Sequence, residues 1–200
     1  MSMEQRNTSM DNNIHKPIVL VFAGPNGSGK TTVAKGVPVF GTYVNADDLK
    51  TIYGLTDLEA AQQAELLRNA LLDKQVDFSF ETVLSTKRNL ALLKKAKKHG
   101  YEVQCIYVLT CNENINVARV KARHAAGGHD VPEDKIRKRY HEALALIPQL
   151  LAICDKILIY DNSNTPTLIF HKENTNKTIF PNDLWSKADL QKLLGYSNLS

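Results

Sequence analysis

The stretch "IVLVFAGPNGSGKTTVAK", residues 18–35, joins an unbroken apolar run to a glycine-rich turn and then to a segment of helical composition. Continuous hydrophobicity over 18–24 suits a strand buried on both faces, as in the middle of a parallel sheet. Gly24, Gly29, Lys30 and Thr31 satisfy G-x-x-x-x-G-K-[ST], the Walker A spacing. Glycines let the main chain curl until successive N–H groups point inward as a nest for anions. The helix that follows sets the positive end of its dipole beneath them. Lys30 is placed to reach β- and γ-phosphates, and Thr31 to offer a hydroxyl to Mg2+. Gly24, Asn26, Gly27, Ser28, Gly29, Lys30, Thr31 and Thr32 are therefore expected to hold ATP.

Outward from this stretch, strand-length apolar runs alternate with longer helical ones, the pattern of βαβ units. Strands are expected at 18–24, 42–46, 76–82, 101–110 and 155–163, giving a central five-stranded parallel sheet flanked by helices. Helices are expected from the phosphate loop to Gly36 and Pro38, then over 47–53, 56–74, 86–99 and 113–126. Thr56 and Glu59 match a capping box, and Gly100 supplies a helix stop. A further helix starts at Pro132, a favourable first-turn position. A β-hairpin around Glu173–Asn176 and a closing helix within 183–195 complete the chain. The fold class is α/β, with one domain over 17–200 and a flexible polar tail over 1–16.

The 200 residues are 43% hydrophobic and 23% charged, ordinary for a soluble globular protein. A formal charge of +4 suits a polyanionic small ligand and falls short of the basic footprint of a duplex binder. The lysines of 86–99 accordingly read as a solvated helix face. Cys105, Cys111 and Cys154 are odd in number and form no CxxC pair, as expected of reduced thiols in the cytoplasm. No run reaches the roughly 18 apolar residues of a membrane span, and the N-terminus lacks the apolar core of a signal peptide.

Phosphoryl transfer needs a carboxylate near an acceptor hydroxyl, a second acidic contact, and cations over the moving phosphoryl group. Ligands in open parallel sheets gather beyond the carboxyl ends of the strands. Asp47 follows "TYVNA" and Glu81 ends "VDFSF", so both stand in the right place. Either has a plainer alternative: a helix cap for Asp47, a surface charge for Glu81. Cations concentrate in "RVKARHAAGGHDVPEDKIRKRY". Arg119 and Arg123 are four apart and share a helix face, whereas Arg137 and Arg139 point to roughly opposite sides. Gly127 and Gly128 read as a flexible joint for a lid, and His129 as either a lid contact or a cap for the next helix.

With the phosphate loop, "NADD", "FSFETVLS", "RVKARHAAGGHDVP", "IRKRY" and "YDNS" together, residues 17–163 resemble the zeta toxin family, and within it the small members with a GGHxVP lid. The resemblance implies a nucleoside- or shikimate-kinase-like P-loop fold, ATP with Mg2+, and transfer to a sugar hydroxyl of UDP-N-acetylglucosamine. It also implies a possible small helical antitoxin, which would be a separate chain. Position by position, it makes Lys30 the phosphate-loop lysine, Asp47 the acceptor-activating aspartate, and Glu81 with Thr82 the substrate and metal-water contacts. Arg123 becomes the first lid arginine, and Asp161 with Asn162 of "YDNS" pass near adenine. Long members carry a second lid arginine three residues before a proline, where this chain has His129, so Arg137 or Arg139 is left as a candidate for that charge. Other acceptors, such as an antibiotic or a nucleoside, and a non-kinase ATPase switch stand as alternatives.

Overall fold

The computed structural model describes residues 16–128 and 131–196. The expected tail over 1–16 lies almost wholly outside them. Strand β1 (Ile18–Ala23) is flanked by parallel β3 (Phe78–Thr82) on one side and parallel β4 (Glu102–Leu109) on the other. Short β2 (Thr42–Val44) pairs with β3, and β5 (Lys156–Asp161) with β4, both parallel. The five expected parallel strands are thus present. The hairpin β6 (Thr167–Glu173) and β7 (Asn176–Ile179) does more than decorate them: it adds to β5 antiparallel, giving one seven-stranded sheet in the order β2-β3-β1-β4-β5-β6-β7.

Two-residue alternation sorts the side chains of β1 between two layers. Val19, Val21 and Ala23 join the larger core with Phe78, Phe80, Val103 and Tyr107. That face is covered by α3 (Asp57–Asp73), α4 (Lys87–Lys98), α7 (Ile147–Ile153) and α8 (Lys187–Leu194), whose Leu72, Leu93, Leu150 and Leu190 are buried there. Leu20 and Phe22 point the other way, against Ile106, Val108 and the α1 (Lys30–Ala34) side chains Val33 and Ala34. Helix α2 (Ala46–Tyr53) follows β2, with Asn45 rather than Asp47 as its side-chain cap. Thr56 and Glu59 form the expected capping box on α3.

The segment after α5 (Glu113–Ala125) departs from expectation. Pro132 holds the cap position of α6 (Glu133–Ala145) instead of its first turn. The helix then breaks at Leu146, and α7 begins with a proline in its first turn. Pro148 lacks an N–H and its ring would strike the carbonyl four residues back, so one continuous helix is not possible. From the hairpin, buried Lys172 reaches the carbonyls of Leu151 and Cys154, both at 2.6 Å, and satisfies the C-terminal end of α7.

Asp155 ties three elements at the entry to β5. Its carboxylate accepts from Lys97 Nζ at 2.6 and 2.8 Å and from the Val103 N–H at 2.8 Å. Burial pushes this carboxyl up, but the ammonium and the amide outweigh it, so it sits below the ordinary carboxylate range. A depressed folded-state pKa contributes stability that is present above the unfolded value, near 3.9, and is lost as pH falls. Asp155→Asn is expected to lower unfolding free energy by about 1 kcal/mol at pH 7, a partly exposed pair being screened. In urea titrations the gap to the parent should narrow as pH falls below the unfolded value and through the depressed folded-state pKa.

Candidate active site

Residues 24–31 curl over the carboxyl end of β1, and every peptide bond described is trans. Four carbonyls of this loop accept from side-chain donors. Lys30 Nζ donates to Gly24 O at 2.9 Å and Pro25 O at 3.1 Å. Asn116 Nδ2 donates to Asn26 O at 2.6 Å, and Asn162 Nδ2 to Ser28 O at 2.8 Å. In a trans peptide the next residue's N–H points opposite the carbonyl. The amides of Gly27 and Gly29 therefore point away from the supporting Asn116 and Asn162 side chains. A concave set of N–H groups is an anion site. With α1 only five residues long, these amides and Lys30 outweigh any long helix dipole.

Two glycines are required by close approach. A Cβ on Gly24, at φ 142°, would lie 1.9 Å from Val108 O, and one on Gly27, at φ 76°, would lie 2.5 Å from Asn116 O. The loop can press onto β4 and α5 only without side chains there. The Gly24 N–H is also fastened to Thr82 O at 3.2 Å. Within the loop, the buried Asn26 Oδ1 and Ser28 Oγ have no protein partner.

Beside the loop opens a cavity of about 570 Å³. Lys30, Thr31 and Thr32 of the loop and α1, Asp47 and Lys50 of α2, and Glu81 with Thr82 at the end of β3 line it together. Asp47 stands in the first turn of α2, exposed, with its N–H donated to Asn45 Oδ1 at 3.0 Å. Lys30 feels Glu81, Arg123 and Asp47 as neighbours, though burial is the largest influence and lowers its pKa. Glu81 gathers three groups: Lys30 Nζ at 3.8 Å, Thr31 Oγ1 at 3.5 Å and the Tyr43 hydroxyl at 3.2 Å. Thr82 Oγ1 accepts from Leu84 N–H at 3.0 Å and Asn89 Nδ2 at 2.7 Å, shaping the turn out of β3.

The cations divide sharply. Arg119, Arg123 and Arg139 all line the cavity. Arg119 is held flat at its rim, donating to Asn162 O at 2.8 Å and Ser163 O at 3.0 Å. Arg137 faces elsewhere, bonded to Glu133 at 2.7 Å and to Glu113 and Asn114 at 2.8 Å each. Gly127 and Gly128 close the end of α5, donating to His124 O and Arg123 O at 2.9 Å each. His129 lies outside the described residues.

"YDNS" is placed differently from expectation. Asp161 and Asn162 are buried at 2% and 7% exposure, and neither lines the cavity. Asp161 Oδ1 accepts from Ser163 Oγ at 2.6 Å, while the Asn162 amide braces the phosphate loop. They are loop supports, because their side chains point into the sheet end instead of across the cleft. Asn116 and Tyr43 went unnoticed in the sequence. A polar residue in the first turn of a helix and a tyrosine on a short strand carry no local signal of what they meet.

Two hard oxygen donors, the Thr31 hydroxyl and the Glu81 carboxylate, meet beside the loop, and this donor set fits Mg2+ completed by phosphate oxygens and water. Among the described residues no group of three or more His, Cys, Asp or Glu is arranged for a metal, and no helix is long and apolar enough to cross a membrane.

Comparison with known proteins bears on the family and the fold. A family model described as Zeta toxin matches residues 37–175. The phosphate loop precedes that segment, and its assignment rests on its own sequence and shape. Over 127 residues the chain is 29% identical to an uncharacterized protein of Haemophilus influenzae, covering 60% of this chain and 91% of that one. A solved structure from the PezAT chromosomal toxin–antitoxin system of Streptococcus pneumoniae is similar at TM-score 0.56 and 21% identity, over 94% of this chain and 87% of that one. AvrRxo1-ORF1:-ORF2 with ATP is similar at TM-score 0.68 and 14% identity, over 92% of this chain and 65% of that one. At such identities the two structures speak for the fold alone; the family match speaks for the lineage. The chain belongs to the zeta toxin family of P-loop kinases and is a phosphotransferase.

Proposed function

We propose that this chain transfers the γ-phosphoryl group of ATP to a hydroxyl of a small molecule, with a nucleotide sugar such as UDP-N-acetylglucosamine as the favoured acceptor. The observation that carries the reading is a single cavity lined by Lys30, Asp47, Glu81, Arg123 and Arg139 together. The acceptor identity rests on the family resemblance, and the chemistry on the residues.

In this reading the loop amides and Lys30 grip the β- and γ-phosphates. Lys30 Nζ, now spent on two loop carbonyls and near Glu81, gains a more highly charged acceptor. Thr31 and Glu81 hold Mg2+, which neutralises phosphate charge when bound. Asp47 accepts the proton of the acceptor hydroxyl as that oxygen bonds to the γ-phosphorus. The bond from phosphorus to the bridging oxygen breaks, and ADP departs with that electron pair. Arg123 and Arg139 lie over the moving group and stabilise charge on its equatorial oxygens. Arg139 thus fills the place of the second lid arginine, because Arg137 is committed to Glu113 and Glu133. Arg119, its guanidinium engaged by two carbonyls, offers a flat face at the rim to the nucleotide. The reaction belongs to the cytoplasm, where ATP is available, and a separate small antitoxin covering the cleft is the partner we propose. The two-component names PezAT and AvrRxo1-ORF1:-ORF2 support such pairing.

Mass spectrometry after incubation with ATP, Mg2+ and UDP-N-acetylglucosamine is expected to show one added phosphoryl group on the sugar nucleotide. A panel of other hydroxyl acceptors tests the substrate class, and nucleotide hydrolysis indifferent to every alcohol would remove the kinase reading. Asp47→Asn should lose about a hundredfold or more in turnover while ATP affinity stays within about twofold. Arg139→Ala should lower kcat at least about tenfold with little change in melting temperature. Arg137→Ala should do the reverse, losing stability and keeping kcat, as calorimetry beside steady-state kinetics will report.

A further inference from the structure

The sheet register sets three side chains on one face, that of α1. Tyr43 of β2 pairs with Ser79 of β3, so Glu81, two residues on, emerges on the same face as Tyr43. Phe22 of β1 pairs directly with Glu81 on the far side. The Tyr43 ring meets the Phe22 ring edge-on, with centroids 6.3 Å apart at 68°. Aromatic pairs favour this geometry, and it leaves the phenol with little freedom to swing. Its hydroxyl donates to Glu81 Oε2 at 3.2 Å.

Glu81 has three partners, and they have different fates in the proposed reaction. Lys30 and Thr31 are both required by the nucleotide and its metal, so neither can keep its present hold on the carboxylate. Tyr43 is the remaining one. A phenol is protonated at neutral pH, so the Tyr43 hydroxyl is a donor to the Glu81 carboxylate. Without that hydroxyl the carboxylate could turn fully onto the Lys30 ammonium, 3.8 Å away, and compete with phosphate for it.

We infer that Tyr43 is a positioning residue for phosphoryl transfer: it keeps the Glu81 carboxylate aimed at the metal and acceptor when Lys30 and Thr31 turn to the nucleotide. This rests on the kinase reading above. Tyr43 touches Glu81 and acts through it, so its loss should show in turnover more than in ATP binding. A purely structural role would come from the ring, which phenylalanine retains.

The test is Tyr43→Phe, with Glu81→Gln and the double variant alongside. Tyr43→Phe is expected to lower kcat about 10- to 150-fold, the range for losing one hydrogen bond to a charged group. The Kd of a fluorescent ATP analogue should stay within about twofold and the melting temperature within about 2 °C. The double variant should turn over no more slowly than Glu81→Gln alone, since the effect travels through that carboxylate. The apparent affinity for Mg2+, titrated at saturating ATP, should weaken in Tyr43→Phe. An unchanged kcat, or a further loss in the double variant matching that in Tyr43→Phe alone, overturns the assignment while leaving a working parent kinase intact. A parent that transfers phosphate to no acceptor overturns the kinase reading and this inference with it.

Discussion

The phosphate loop depends on satisfying carbonyls that have no access to water. A peptide that turns its N–H groups to a ligand must turn its C=O groups inward, and a buried unpaired carbonyl costs about 1–3 kcal/mol. Lys30, Asn116 and Asn162 meet this demand between them, one from the loop, one from α5 and one from the end of β5. Each such bond is worth only about 1 kcal/mol net, but losing a donor would strand its acceptor. Curvature of the loop is therefore held by its own lysine and by two distant parts of the chain.

That arrangement explains why "YDNS" supports the site from below. Asn162 donates to the loop, its own N–H is bonded to Leu109 O at 2.8 Å, and its carbonyl receives Arg119. One residue thus links phosphate loop, central strand and lid helix. Asp161 in turn fixes Ser163, whose hydroxyl accepts from the Cys111 N–H at 2.8 Å. Rigid support on this side is matched by exposure on the other, where Asp47 and Arg123 stand on helix ends open to solvent. Such a division suits a site that must hold one substrate firmly and admit another.

Local signals carried much of this into the sequence. Unbroken apolar strands, the capping box at Thr56 and the Walker spacing each depend on neighbours within a few residues, and each appears where the pattern placed it. The break before α7 was also written locally, in Pro148, but the helical period around it masked the signal. Arg137 and Arg139 were separable in principle, lying on opposite sides of α6, but which side met the cleft was not. Glu113 and Glu133 decided that by capturing Arg137.

The sequence by itself determined that a buried strand runs into a phosphate-binding turn, and that carboxylates follow two further strands. Those features arise from backbone sterics and hydrophobic period, which act over a few residues. Only the tertiary structure decided which side chains share the cleft: Tyr43 with Glu81 through strand register, Asn116 with Asn26 across 90 residues, and Asn162 with Ser28 across 134. Such contacts follow from how the strands order themselves in the sheet, and no local pattern encodes that order.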